Sequence, residues 1–111
     1  MIKIAIPVTN GQLNAHFGHT DQFFVFEVNN DKITDKQTLD PPEHKPGVYP
    51  AWLASIGVTD IIAGGIGQKA INLFNQNKIN VFVGVPVKAP EELVNDYING
   101  TLSTSSNYCD H

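Results

Sequence analysis

Three histidines fall in loop-like stretches before residue 50, and the sequence closes on Cys109-Asp110-His111. His16 and His19 lie in His16-Phe17-Gly18-His19-Thr20-Asp21, and His44 lies in Pro41-Pro42-Glu43-His44-Lys45-Pro46-Gly47. Imidazole and thiolate are the ligands that hold zinc, copper, iron and iron–sulfur clusters. A histidine kept for packing would more often interrupt an apolar run, and none of these does. The distribution therefore points to a metal site in loops.

The spacing of His16 and His19 lets two imidazoles reach one metal, and Gly18 between them lets the backbone bend tightly. The alternative is a pair of solvated loop histidines. His44 stands in a loop braced by prolines, which lower the entropy lost on fixing a ligand. Cys109 and His111 can swing onto a site and close it, or form an exposed end. One cysteine sets a limit: neither a four-cysteine cluster nor a two-cysteine, two-histidine zinc site can be built from one chain. A site here is dominated by histidine, shared between subunits, or filled by a cluster assembled elsewhere.

A second constellation is the turn Gly64-Gly65-Ile66-Gly67. Gly65-x-Gly67-x-x-Ala70 between a strand and a helix has the outline of a dinucleotide fingerprint. The acid that would hold a ribose after the next strand is missing, since Val83-Gly84-Val85-Pro86 stands there. A Walker loop is also absent. What remains is either a tight turn or a helix start whose free N–H groups favour an anion, with Lys69 adding positive charge nearby. Nucleophilic catalysis finds no support, because a chain-terminal cysteine is poorly held for attack. Asp21, Asp40 and Asp60 fall at strand ends, which leaves a metal-dependent hydrolase as a third reading.

The elements that must position these residues follow from pattern. Ile2, Ile4 and Ile6 alternate with smaller or charged residues, so a first strand is expected, ending at Pro7. Residues 9–20 read as one long loop. Phe23 to Val28 suits a second strand, Asn29-Asn30-Asp31 a hairpin turn, and Lys32 to Leu39 a third strand. A helix is expected from Val48, with Pro50 in its first turn and Gly57 as its stop. A buried strand over Val58–Ala63, a helix over 68–77, a strand over 79–83 and a helix from Pro90 to Gly100 complete the order β-β-β-α-β-α-β-α. The β-α-β half implies parallel pairing and the hairpin antiparallel pairing. The expectation is one α/β domain over 1–100, a mixed sheet of about five strands with flanking helices, and a polar tail over 101–111.

Composition narrows the function classes. Hydrophobic residues make up 41% and charged residues 16% of the 111 positions, as in an ordinary globular domain. A net charge of −4, with seven Lys and Arg spread thinly, argues against nucleic acid. No apolar run approaches the ~18 residues of a membrane span, and the start is too short for a signal peptide. A single cysteine suits a reducing, cytoplasmic setting.

Several segments together resemble the dinitrogenase iron–molybdenum cofactor biosynthesis family, the NifX-like accessory domain. They are Lys3-Ile4-Ala5-Ile6-Pro7-Val8, His16-Phe17-Gly18-His19 before the Phe-rich strand, Pro50-x-Trp52-Leu53, the run from Gly57 to Ala70, and Ile79-x-Val81-x-Val83-Gly84. His44-Lys45-Pro46-Gly47 and Asn107-x-Cys109-Asp110-His111 look like features of a subgroup. The resemblance implies a ribonuclease-H-like fold. It also implies carriage of an iron–sulfur or iron–molybdenum–sulfur cluster, without turnover of a substrate, and contact with cofactor-biosynthesis proteins. Its cluster-contacting histidine falls in the loop that carries His16. On this reading His16, His19, His44, Cys109 and His111 contact the metal, and the N–H groups of Gly64, Gly65 and Gly67 face the cluster's sulfides. A mononuclear site for zinc or nickel on the same histidines, in a binding or regulatory module, is the alternative.

Overall fold

The computed structural model describes residues 2–13, 21–42, 48–102 and 104. Strand β1 (Ile2–Thr9) is followed by a short β2 (Gln12–Leu13), β3 (Gln22–Asn29) and β4 (Lys32–Leu39). Then come α1 (Val48–Ser55), β5 (Asp60–Ile62), α2 (Gln68–Gln76), β6 (Asn80–Phe82) and α3 (Pro90–Asn99). The sheet has six strands in the order β4-β3-β1-β5-β6, with β2 paired to the end of β1. β1 pairs antiparallel with β2 and β3, and parallel with β5, which pairs parallel with β6. The sheet is thus mixed and the domain α/β, as the element pattern predicts.

β1 is buried from Ile4 to Val8. Alternation sends Ala5 into one core cluster with Phe23, Leu53, Ile61 and Phe74, under α1 and α2. It sends Ile4, Ile6 and Val8 into the other, with Phe26, Ile62 and Leu93, under α3. Pro7 does not end the strand, contrary to the sequence reading. Its register partner is Phe23. On the opposite side, register with β5 covers Ile4 and Ala5 and register with β2 begins at Val8, so Pro7 falls in the gap. A missing N–H there interrupts no pairing on that side.

Residues 9–20 are not one loop. Asn10 (φ 55°) and Gly11 (φ 80°) form a two-residue turn between Thr9 and Gln12. Asn-Gly is the strongest short-range hairpin signal, because both residues accept positive φ. The flanking strand is only two residues long, exposed Gln12 and buried Leu13, too short for the alternation that marks a strand to show. The second hairpin lies where expected, with Asn30 (φ 52°) and Asp31 (φ 62°) at its turn. Gly57 (φ 91°) stops the chain after α1, and Gly100 (φ 74°) ends α3 in the left-handed conformation.

Leu53 is fully buried, and its carbonyl accepts from the N–H of Val58 at 3.1 Å. Leu53→Ala is expected to cost about 2–5 kcal/mol, the range for an emptied core leucine site; urea denaturation measures it. Burial raises the Tyr49 phenol above its ordinary 10.0. Burial, with the negative charge of Asp60 second, does the same for Tyr97. A raised folded value means the neutral phenol is favoured in the fold. Its contribution is complete below pH 10 and is lost as pH climbs through the raised values. Thermal melts should hold steady up to roughly pH 9 and fall beyond about pH 10; in Tyr49→Phe the part of that fall due to Tyr49 should disappear.

Candidate functional site

Parallel pairing puts the C-terminal ends of β1, β5 and β6 on one edge of the sheet. The antiparallel half delivers the start of β3 and the end of β4 to the same edge, through the pairs Val8↔Gln22 and Phe23↔Leu39. Gln22 Nε2 donates to Asp40 Oδ1 at 3.3 Å across these two ends, and the Asp21 N–H donates to the Val8 carbonyl at 3.2 Å. Leu13, buried and paired with Val8, precedes the 14–20 segment, and Asp21 follows it. Pro42, just beyond β4, precedes the 43–47 segment, and α1 follows it. Its Tyr49 meets Phe23 edge-on at 5.3 Å. Both histidine-bearing segments are therefore framed by residues of one edge. His16, His19, His44, Cys109 and His111 themselves lie outside the described residues.

The glycine turn leaves the same edge after β5. Ala63 N–H donates to the Phe82 carbonyl at 2.8 Å, Gly84 N–H to the Gly64 carbonyl at 2.8 Å, and Val85 N–H to the Ala63 carbonyl at 3.3 Å. These bonds lace the exit of β5 to the exit of β6. Gly64 is half-buried, whereas Gly65 and Gly67 are exposed. Ile66 between them turns inward to the core cluster that holds Phe23 and Tyr49. Gly67 caps α2 from extended backbone (φ −78°, ψ 158°) and has no side chain to cap it, and among the described residues no side chain bonds the first-turn N–H groups. A Cβ at Gly67 would meet nothing within 4 Å. This helix start is open, which is what an anion would use. Lys69 stands exposed on its first turn.

Trp52 lies beside the same core, half-buried and 5.6 Å from Phe23. A cavity of about 250 Å³ lies elsewhere, lined by Phe82, Tyr97, Gly100, Leu102 and Thr104. The glycine turn takes no part in it.

The carboxylates do not assemble. Asp60 opens β5 opposite Ile4, whereas Asp21 and Asp40 belong to the edge near Val8. Four residue steps along β1 separate those positions, about 13 Å at ~3.3 Å per step. Asp60 and Asp21 therefore cannot share a metal ion, and among the described residues no three His, Cys, Asp or Glu side chains come together. Asp60 is instead a buried structural acid, 4% exposed. Its Oδ2 accepts from the Thr59 hydroxyl at 2.7 Å and its Oδ1 from Asn80 Nδ2 at 3.0 Å. Thr59 Oγ1 in turn accepts from the Lys3 N–H at 3.0 Å, and Lys3 Nζ donates to the Ile56 carbonyl at 2.9 Å, beyond the end of α1. This chain of bonds ties β1, β5 and β6 at the edge away from the loops. Sequence reading missed it because its partners are distant in sequence.

The molecule is an α/β domain of mixed sheet, with the residues flanking its histidine-bearing segments at one edge beside an open helix start. The model of the family described as dinitrogenase iron-molybdenum cofactor matches residues 1–100. This chain belongs to that family, which ties it to an accessory role around a metal cofactor. An uncharacterised protein of Methanocaldococcus jannaschii is 36% identical over 87 residues, 74% of each chain. The crystal structure of PH0822 superposes with a TM-score of 0.88 at 23% identity, covering 96% of this chain and 97% of that one. The apo form of the orange protein from Desulfovibrio gigas gives 0.77 at 20% identity, covering 96% and 94%. These two structures share the fold. Among the described residues, no helix is long and apolar enough to cross a membrane.

Asp60→Ala removes the acceptor shared by half-buried Thr59 and exposed Asn80 and should cost about 1.5–3 kcal/mol, the range for hydrogen bonds to a charged group, measured by urea denaturation. Metal loading of the folded variant should match the parent. Loss of metal from a folded Asp60→Ala protein would return this acid to the functional site.

Proposed function

We propose that this chain binds and carries an iron–sulfur or iron–molybdenum–sulfur cluster at the loop-bearing edge of its sheet, as an accessory protein of cofactor biosynthesis. One observation carries the reading: the residues flanking both histidine segments and the glycine turn all belong to the same edge. His16, His19 and His44 supply ligands, and Cys109 and His111 close over them. The open N–H groups of α2 and the turn Gly64–Gly67 favour the negative charge of a sulfide-bearing cluster. The protein holds the cluster and passes it to other cofactor-biosynthesis proteins; it turns over no substrate. Family membership supports the cargo, and the mixed sheet with an antiparallel and a parallel half supports a ribonuclease-H-like fold. The Desulfovibrio gigas neighbour is named for a colour and has an apo form, which suits a fold that takes up a coloured group. A single cysteine suits work in the reducing cytoplasm.

Anaerobic reconstitution with iron, sulfide and molybdate tests this directly. The gel-filtered protein should be coloured, should contain stoichiometric iron or molybdenum, and should show quenched Trp52 emission, since Trp52 is the only tryptophan. Alanine at His16, His44 and Cys109 together should abolish colour and quenching while the fold persists. Unchanged metal binding in that variant would overturn the ligand assignment. A colourless protein holding zinc would replace cluster carriage by a mononuclear metal module.

A further inference from the structure

The sequence holds two Asn-Gly dipeptides, Asn10-Gly11 and Asn99-Gly100. In such a pair the glycine nitrogen can attack the asparagine side-chain carbonyl, because no Cβ on the following residue blocks the approach. We propose that Asn10 is a site of spontaneous deamidation in the folded protein, and that the fold protects Asn99 from the same reaction. The inference stands independently of any bound cluster.

The two sites differ in what holds the glycine nitrogen. Asn10 and Gly11 are both exposed, at the turn between Thr9 and Gln12. Among the described residues the Gly11 N–H has no hydrogen-bond partner. A Cβ at Gly11 would meet nothing within 4 Å, so the approach to this nitrogen is open. The turn is closed by a ladder of only two pairs, Val8↔Leu13 and Thr9↔Gln12. Beyond it the chain is anchored: Leu13 is 2% exposed and its N–H donates to the Lys88 carbonyl at 3.1 Å. The backbone rotation that brings nitrogen to side-chain carbon therefore needs only local opening of the turn, not unfolding.

Asn99 is the last residue of α3. The Gly100 N–H is directed at the carbonyls of Asp96 and Tyr97. The next N–H, of Thr101, donates to the Asp96 carbonyl at 2.8 Å. Attack here requires breaking the helix end, whose side chains Leu93 and Val94 are buried in the core one to two turns earlier.

The reaction balances with water alone. The Gly11 nitrogen gives its proton to base and bonds to Asn10 Cγ, and the side-chain nitrogen leaves as ammonia. Water then opens the resulting succinimide. Addition at Cγ breaks the new bond and leaves aspartate. Addition at the backbone carbonyl breaks the original peptide bond and leaves isoaspartate, with the chain running through Cγ. No oxidant or reductant takes part. Aspartate tolerates the left-handed turn and adds one negative charge to the present −4. Isoaspartate adds a backbone atom, which the tight turn between Thr9 and Gln12 cannot accommodate without losing that pair.

The full chain is incubated at mildly alkaline pH, with and without denaturing urea, and digested. Mass spectrometry then locates the amide-to-acid conversion. In the folded protein Asn10 should convert about tenfold faster than Asn99, and the two rates should converge in urea as the protection is removed. In Asn10→Gln, fast acid formation should vanish while the slow conversion at Asn99 persists. Equal rates at the two sites in the folded protein, or rates whose ratio does not change on unfolding, would overturn the proposal.

Discussion

The structure depends on β1 serving two kinds of sheet at once. One side of the strand pairs antiparallel with β3 and the other pairs parallel with β5. Because both faces are also covered, Ile4 to Val8 are buried, and any slip in register would move apolar side chains from one core cluster to the other. The Lys3–Thr59–Asp60–Asn80 chain of hydrogen bonds secures the register at one end of this strand. The Asn10–Gly11 turn and β2 secure the other. Pro7 fits between these two, where β1 has no registered neighbour on the β5 side.

This pairing gives the sheet two unlike edges. Parallel strands place all their outgoing connections on one edge, and the antiparallel strands add the start of β3 and the end of β4 to it. Open crevices beyond the carboxyl ends of parallel strands are where α/β sheets bind ligands. The opposite edge is closed by part-buried polar contacts around Asp60. Asp60 belongs to that closed edge, so an acid that reads as catalytic in sequence is a fastening between strands. The open start of α2 and the exposed Gly65 and Gly67 belong to the loop-bearing edge. The charge there is mixed, with Asp21 and Asp40 on the antiparallel side and Lys69 on α2. An anionic ligand would therefore be drawn toward the parallel side, where the free amides are.

Burial and charge also interact on the other face. Lys36 Nζ lies 4.6 Å from the Phe24 ring centroid and 2.7 Å from Glu91 Oε2. Its ammonium lies over the Phe24 ring of β3, which packs against the core cluster under α3, and reaches Glu91 in the first turn of that helix. The Lys36 ammonium holds the Glu91 carboxyl below its ordinary range. Both groups are well exposed, so the pair contributes to covering Phe24 more than to stability through its charge.

Local chemistry was legible in the sequence wherever one short segment sufficed. Asn30 and Asp31 tolerate positive φ, Gly57 and Gly100 stop their helices, and the runs of β3 and α2 carry their own periods. The glycine turn before α2 was legible for the same reason, as were the residue types able to hold a metal. The Asn10-Gly11 signal was present too, but the two-residue β2 is too short to offer an alternation that confirms it. What only the tertiary structure decided was which segments share an edge. That depends on the direction in which β5 enters beside β1, a pairing between residues more than fifty positions apart, such as Ile4 and Asp60. Local propensity has no term for such a contact, because its energy comes from burying two surfaces that meet only after the chain has folded.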